Sequence, residues 1–261
     1  MPKRLKQEPK NLSLNKAFRI LECFTIENPK WGIRELGRDL DINPTSIYRL
    51  VSTLSNAGFL EQDPETHRYA LGSKFIKLAN IYTSVNPLPN IALKIFEKYS
   101  SVFKYNFYLG KLNNFELVYI SVLDGRGPLR IIVEPGGSTS LHSTALGKVL
   151  LAFHDDDYVE GFFRNVPLTA HTSRTITDPV QLREHLKRIK VQGYALNNGE
   201  HYDTIGSVGV PIIDKSGKVS LGVSLAYPRQ LFLDDSIHVN ELVDLAKEIA
   251  NEILLRIDYS K

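Results

Sequence analysis

The stretch that most constrains this chain runs from Gly32 to Leu71, GIRELGRDLDINPTSIYRLVSTLSNAGFLEQDPETHRYAL. Ile33, Leu36 and Leu40 recur at helical spacing and leave Arg34, Glu35, Arg38 and Asp39 on the opposite side. Asp41-Ile42-Asn43-Pro44 then breaks the pattern. Asparagine is a good N-cap and proline fits a first helical turn, so a second helix is expected to start at Asn43 or Pro44. Its apolar stripe is Ile47, Leu50, Val51 and Leu54, and it should stop at Gly58. Pro44, Thr45, Ser46, Tyr48, Arg49 and Ser52 are left on a short polar face with one cation and no acid, which suits a helix laid in a DNA major groove. Phe59–Gln62 and Arg68–Leu71 read as two strands around a turn-rich loop, Asp63-Pro64-Glu65-Thr66-His67. Two helices, a tight turn and a charged hairpin in that order make a winged helix-turn-helix. Arg34, His67 and Arg68 are further candidates for DNA contact, the last two at a phosphate or a minor groove. The bland alternative is a helical pair with a hairpin that only packs.

Charge follows the same division. The chain has 261 residues and a formal charge of +3. Residues 1–80 carry 13 Lys and Arg against 9 Asp and Glu, and residues 81–261 carry 19 against 20. Cations gather where phosphates would have to be neutralised. The length allows two domains with separate cores. No apolar run is long enough to cross a membrane, and the basic, polar start has no apolar leader segment. The single cysteine, Cys23, lies on the apolar stripe of the first helix and cannot make an internal disulfide, which fits a reducing cytoplasm.

Met1–Leu12 is expected to be a flexible basic arm. Ser13 can cap a helix whose stripe is Leu14, Ala17, Phe18, Leu21 and Phe24, giving a DNA-binding domain over 13–72. Residues 73–86 read as a linker helix, amphipathic over Ser73–Ser84, with Phe75, Ile76, Ala79 and Tyr82 on one side, and Pro87 and Pro89 close it off. Over 87–258 helices are expected at Ile91–Phe103, Ser143–Ala152, Asp155–Phe163, Pro179–Gln192 and Asp235–Arg256. Strands are expected at Asn106–Leu112, Glu116–Leu123, Leu129–Val133, Tyr194–Asn197, Ser207–Ile213 and Val219–Ala226. Hairpin signals at Lys111–Phe115 and Asp214–Gly217 make this an α+β domain with a largely antiparallel sheet. Tyr194 and the group Tyr105, Phe107, Tyr108 and Phe115 read as core.

Ser13-Leu14, Ala17, Ile20 and Leu21 begin a series of motifs. It continues through Asn43–Leu50 (NPTSIYRL), Tyr69–Gly72 (YALG), Leu141–Lys148 (LHSTALGK), Thr175–Asp178 (TITD) and Gly193-Tyr194-Ala195. Together these resemble the IclR family of bacterial transcription regulators from about Ser13 to Leu255. The resemblance implies a GAF- or PAS-like sensor domain, and a helix like that over 73–84 joining the domains of a dimer.

A catalytic reading of the second domain finds little support. The seven histidines His67, His142, His154, His171, His185, His201 and His238 form no nucleophile signature, and no pair has zincin spacing. Gly136-Gly137 and Gly206–Gly209 lack the lysine and spacing of a phosphate loop. No cofactor is expected. An effector site remains, and the resemblance assigns residues to it. Ala145 and Leu146 lie where a helix starts and would offer backbone N–H groups to an anionic oxygen. Asn197 stands where the family usually has aspartate, Ser207 where it usually has cysteine, Ser224 matches a family serine, and Ala226 replaces a second one. Exchanging carboxylate for amide removes a negative charge beside the ligand. The alternative is that Asn197 is a turn residue and Ser207 a core serine. His142 and Lys148 flank the same turn and are read as capping or packing groups.

These features imply a cytoplasmic transcription regulator. A winged helix would read inverted-repeat double-stranded DNA as a homodimer, and the resemblance implies a homotetramer through the second domain as a further option. A small organic acid or aromatic metabolite would set its affinity. The other reading is a metabolic enzyme or small-molecule binding protein with a basic docking module.

Overall fold

The structure, a computed structural model, describes residues 11–127 and 133–258. The basic arm lies outside them up to residue 10, and so does the strand expected at Leu129–Val133 except for Val133. The chain divides into two compact units that meet between Asn86 and Pro87.

The first unit holds α1 (Leu12–Glu22), α2 (Ile33–Leu40), α3 (Pro44–Asn56), β1 (Leu60–Gln62), β2 (Tyr69–Leu71) and α4 (Lys74–Val85). Helix α1 starts two residues earlier than its serine suggested. Asn11 is the N-cap, its side chain accepting from Leu14 N, and Ser13 lies inside the helix. The α2–α3 turn is closed by Asp41 in the left-handed region (φ 52°) and by a hydrogen bond from Ile42 N to Gly37 O. Asn43 caps α3 by accepting from Thr45 N, with Pro44 in the first turn. Ile20, Leu36, Leu40, Ile42, Ile47, Val51, Leu60 and Tyr69 form the core, and buried Cys23 completes it. Burial and the nearby Asp39 carboxylate push the Cys23 thiol up to about 11. Strands β1 and β2 pair antiparallel, and Trp31 adds a bridge to Tyr69. No residue of α4 is buried, and Ile76, Leu78, Ile81, Tyr82 and Val85 are exposed.

The second unit holds α5 (Leu88–Tyr99), β3 (Asn106–Asn113), β4 (Glu116–Leu123), β5 (Ser138–Thr139), α6 (Ala145–Ala152), α7 (Asp156–Asn165), α8 (Pro179–Gln192), β6 (Ala195–Asn198), β7 (Ile205–Ile213), β8 (Val219–Pro228), α9 (Arg229–Leu233) and α10 (Val239–Asp258). Among the described residues the strands make one antiparallel sheet in the order β5-β4-β3-β8-β7-β6. The α+β class expected from the sequence is the one observed, with several boundaries moved. Pro89 does not end a helix but sits in the first turn of α5, where a missing N–H is harmless. The long C-terminal helix expected from Asp235 starts four residues later, at Val239. Asp235 adopts φ 54°, and Ser236 N and Ile237 N turn back to Leu231 O, so a short α9 precedes α10.

The sheet is buried on both faces, and its alternation is of large against small residues. Phe107, Leu109, Val208, Val210, Val223 and Leu225 face α5 and α10 in one core. Tyr108, Ala195 and Ala226 belong to the other, with α6, α7 and α8. The aromatic group is thus divided, Tyr105 and Phe107 joining the first core and Tyr108 and Phe115 the second. On the small side α6 lies almost against bare backbone. A Cβ at Gly209 would stand 2.7 Å from the Ala145 carbonyl, and one at Gly222 would stand 2.8 Å from a Leu146 methyl.

Candidate functional site

In the first unit α3 is divided lengthwise. Ile47 and Val51 are buried, while Pro44, Thr45, Tyr48 and Arg49 are exposed and Ser46 and Ser52 half-buried. Arg34 is exposed on α2. The wing loop is built on Asp63, whose carboxylate accepts from Glu65 N and Thr66 N and pairs with Lys30 at 2.8 Å. These bonds, led by the one from Lys30, hold its carboxyl well below the usual range. His67 at the tip is exposed, with φ 55°. Arg68 is placed differently. Its Nη2 donates to Glu35 Oε2 at 2.7 Å and to Lys30 O at 3.0 Å, so the guanidinium braces the wing against α2. Glu35 also accepts from Gly32 N, which joins the start of α2 to the same brace.

In the second unit the strand register collects the effector candidates. Asn197 of β6 is opposite Ser207 of β7, Ser207 opposite Ala226 of β8, and Ala226 opposite Asn106 of β3. Cross-strand partners share a face, so these four form one row across the sheet. The next row on that face is Ala195, Gly209, Ser224 and Tyr108. Gly209 abuts the Ala145–Leu146 peptide, which brings the start of α6 to this row. Six residues picked from distant parts of the sequence thus stand together. Asn197, Ser207, Ser224 and Ala226 are each 4–5% exposed, and Ala145 and Leu146 no more than 2%.

The polar atoms differ in how far they are committed. Ser224 Oγ donates to Val208 O at 2.7 Å, and Asn197 Oδ1 accepts from Glu200 N at 2.7 Å. Both side chains therefore also have a structural role. Thr144 caps α6, accepting from Gly147 N. Lys148 is fully buried, with Nζ 2.6 Å from both Glu200 carboxylate oxygens and 2.8 Å from Leu196 O. Burial pushes the ammonium down and the Glu200 carboxyl up, and their attraction opposes both shifts. This ion pair pins the turn after β6 to α6, a packing role as the sequence led us to expect.

Several groups at the site had no sequence signal. Asn106 is fully buried, and its Nδ2 donates to Tyr108 Oη at 3.1 Å and lies 3.4 Å from Asp124 Oδ1. Its Oδ1 has no donor. Tyr108 and Tyr119 rings lie 5.3 Å apart, and burial raises both phenols. Three of the histidines that look scattered in the chain also meet. The His171 ring is 5.8 Å from His142 and 4.4 Å from His201. Only the folded loops reveal this, because their spacings follow no helical or strand period. Among the described residues no group of metal-ligating types is placed to hold a metal ion, and no helix is long and apolar enough to cross a membrane.

Comparison with known proteins places both units. Residues 13–64 match the IclR helix-turn-helix domain, and residues 81–254 match the domain described as bacterial transcriptional regulator IclR C-terminal. The HTH-type transcriptional regulator KdgR of Escherichia coli (strain K12) is 30% identical over 255 residues, 97% of this chain and 95% of that protein. An IclR transcriptional regulator from Silicibacter sp. TM1040 has a similar structure, with a TM-score of 0.81 at 25% identity over 94% of this chain and 96% of its own. An IclR homolog from Microbacterium hydrocarbonoxydans, crystallised with 4-hydroxybenzoate, shares the fold with a TM-score of 0.80 at 23% identity, over 93% of this chain and 98% of its own. Both units thus match domains of one family, and the chain belongs to the IclR family of bacterial transcriptional regulators.

Proposed function

We propose that this regulator works in the cytoplasm as a homodimer on inverted-repeat DNA, and that a small carboxylate bound in the second unit sets its operator affinity. The observation that carries the reading is the register of the sheet, which aligns Asn197, Ser207 and Ala226 beside the glycine-seated start of α6. Buried polar side chains in a row beside a helix N-terminus suit recognition of a small acid. The 4-hydroxybenzoate held by the Microbacterium homolog is an acid of that class. The dimer is supported by the exposed apolar residues of α4, and protein symmetry would be mirrored in paired half-sites.

On the DNA side, Thr45, Ser46, Tyr48, Arg49 and Ser52 read the major groove. Arg34 and Pro44 lie at the margins of that surface, and His67 reaches a phosphate or the minor groove. Arg68 acts through the wing it braces. Mobility shifts with the DNA upstream of the gene test this. Arg49→Ala should cost about 1–3 kcal/mol on the operator if Arg49 reads a base. Arg68→Ala should weaken operator and random DNA alike. Unchanged binding by Arg49→Ala on both would remove α3 from the interface. Binding of acetate or 4-hydroxybenzoate that shifts operator affinity, and is lost in Ser207→Leu, would support the effector site.

A further inference from the structure

We propose that His142, His171 and His201 form the anion-recognition wall of the effector site, and that a small carboxylate binds there together with a proton. The inference rests on the effector reading above and names the groups that would answer the ligand's charge. The three side chains come from the loop before α6, the loop before α8 and the turn after β6. They are graded in depth: His142 is 1% exposed, His201 half-buried and His171 exposed. A chain of hydroxyls ties them to the entrance of α6. His201 Nδ1 is 2.8 Å from Ser143 Oγ and its Nε2 is 3.3 Å from Thr139 Oγ1. Ser143 Oγ bonds Ser140 Oγ, which is 3.3 Å from His171 Nε2. Ser143 is fully buried and stands two residues before Ala145.

His142 carries the most specific information. Its Nε2 lies 3.0 Å from Thr169 O, and a carbonyl only accepts, so Nε2 bears the hydrogen. Nδ1 is then a bare acceptor, buried with no donor. Protonation at Nδ1 would turn that orphan lone pair into a second donor and make the ring a cation.

The fixed charges nearby are already committed. Lys148, which faces His142 from α6, is neutralised by Glu200, and Arg174 pairs with Asp203 at 2.8 Å. Tyr202 packs edge-on against His201 at 4.6 Å. Asp124, beyond Asn106, is the acid beside the sheet row. An entering carboxylate thus meets the His142 and His201 imidazoles and the hydroxyls beside them. Burial first, then repulsion from His171 and His142, holds His201 at about 4. Burial likewise lowers His142, against the pull of Thr169 O. A carboxylate against these rings favours their charged forms and raises their titration midpoints. The step is acid–base only: a proton passes from solvent to an imidazole nitrogen, and no bond to carbon changes. By linkage, affinity must then rise as pH falls, by up to about tenfold per pH unit between the free and bound midpoints.

Acetate is the probe, added to the full-length protein and followed by calorimetry and by histidine ring NMR. The expected result is tighter acetate binding at about pH 6 than at about pH 7, with proton uptake and raised midpoints for His142 and His201. His201→Gln should flatten that dependence. His171→Gln, at an exposed position, should do so partly without threatening the fold. Acetate affinity that is the same at both pH values, histidine midpoints that ignore acetate, or no acetate binding would overturn the proposal. Loss of acetate binding in Ser207→Leu, with pH and the histidine variants without effect, would overturn the wall and leave the effector reading standing. Histidine midpoints that respond to acetate equally in wild type and Ser207→Leu would support the wall and remove the sheet row from the site.

Discussion

The two units place their functional groups by opposite means. In the DNA-reading unit the exposed face of α3 is drawn from one continuous run, Pro44–Ser52, and a helical period alone puts Thr45, Tyr48, Arg49 and Ser52 on one side. In the sensor unit Asn106, Ala226, Ser207 and Asn197 come from four strands and are neighbours only because the register makes them so. A face built on one helix tolerates drift elsewhere in the chain. A row built across strands fails with any slip, since a shift of one residue turns every side chain to the other face. The sensor unit accordingly spends buried polar interactions and close backbone contacts on fixing its geometry, and the predictions below test that contrast.

The largest effect is expected at Lys148. Lys148→Met leaves Glu200 buried without its counter-ion and should destabilise the sensor unit by about 3–5 kcal/mol. Adding Glu200→Gln should recover much of the loss, because a buried pair replaced on both sides is often nearly neutral. The chain contains one tryptophan, Trp31, in the DNA-reading unit, so tryptophan fluorescence reports that unit. Near-UV circular dichroism reports mainly the other, through the buried tyrosines Tyr99, Tyr105, Tyr108 and Tyr227 against Tyr69 in the first. Lys148→Met should move the tyrosine transition in urea and leave the tryptophan transition in place. Equal shifts of both would break the comparison by showing one cooperative block.

Gly209→Ala comes next. The added Cβ would meet backbone of Ala145 at 2.7 Å and Leu146 N at 2.8 Å, and backbone cannot rotate aside. Overpacking of this kind should cost about 1–3 kcal/mol. It should also weaken binding of acetate or 4-hydroxybenzoate, because lifting α6 moves Ala145 and Leu146 off the polar row. A variant as stable as wild type that binds these acids unchanged would show that α6 is not seated as described.

The same contrast governs what the sequence could reveal. The winged unit was legible nearly to the residue, because caps, a proline and two apolar stripes are local signals: α3 begins at Pro44 as its Asn-Pro pair requires. The sheet was legible in its strands, such as the one expected at Ser207–Ile213. That α6 lies against its small residues emerges only in the fold. The row itself required the pairing, which lies in no single segment, and family resemblance supplied its members where periodicity could not. Asn106 was hidden as an ordinary strand position. The histidine cluster was illegible because its loops meet through tertiary packing. In the sequence Arg68 reads as a wing cation for DNA contact, and only the Glu35 carboxylate within reach reveals it as a brace.

The smallest and sharpest test compares one helix cap from each unit. Asn11 caps α1 at an exposed site with a single bond, accepting from Leu14 N at 3.0 Å. Water can take its place, so Asn11→Ala should cost about 0.5–1 kcal/mol, read in the tryptophan transition. Thr144 caps α6 at a partly buried site with two bonds. Its Oγ1 accepts from Gly147 N and donates to Ser140 O, both at 3.1 Å. Thr144→Ala strands both partners away from bulk water and should cost about 1–2 kcal/mol, read in the tyrosine transition. Thr144→Ser keeps the oxygen and should restore most of that loss, which separates the cap from the packing of the threonine methyl. If the two alanine variants cost the same, the start of α6 is no more tightly specified than a surface helix. The placement of α6 would then rest on its ion pair, its glycine contacts and its apolar packing rather than on its cap.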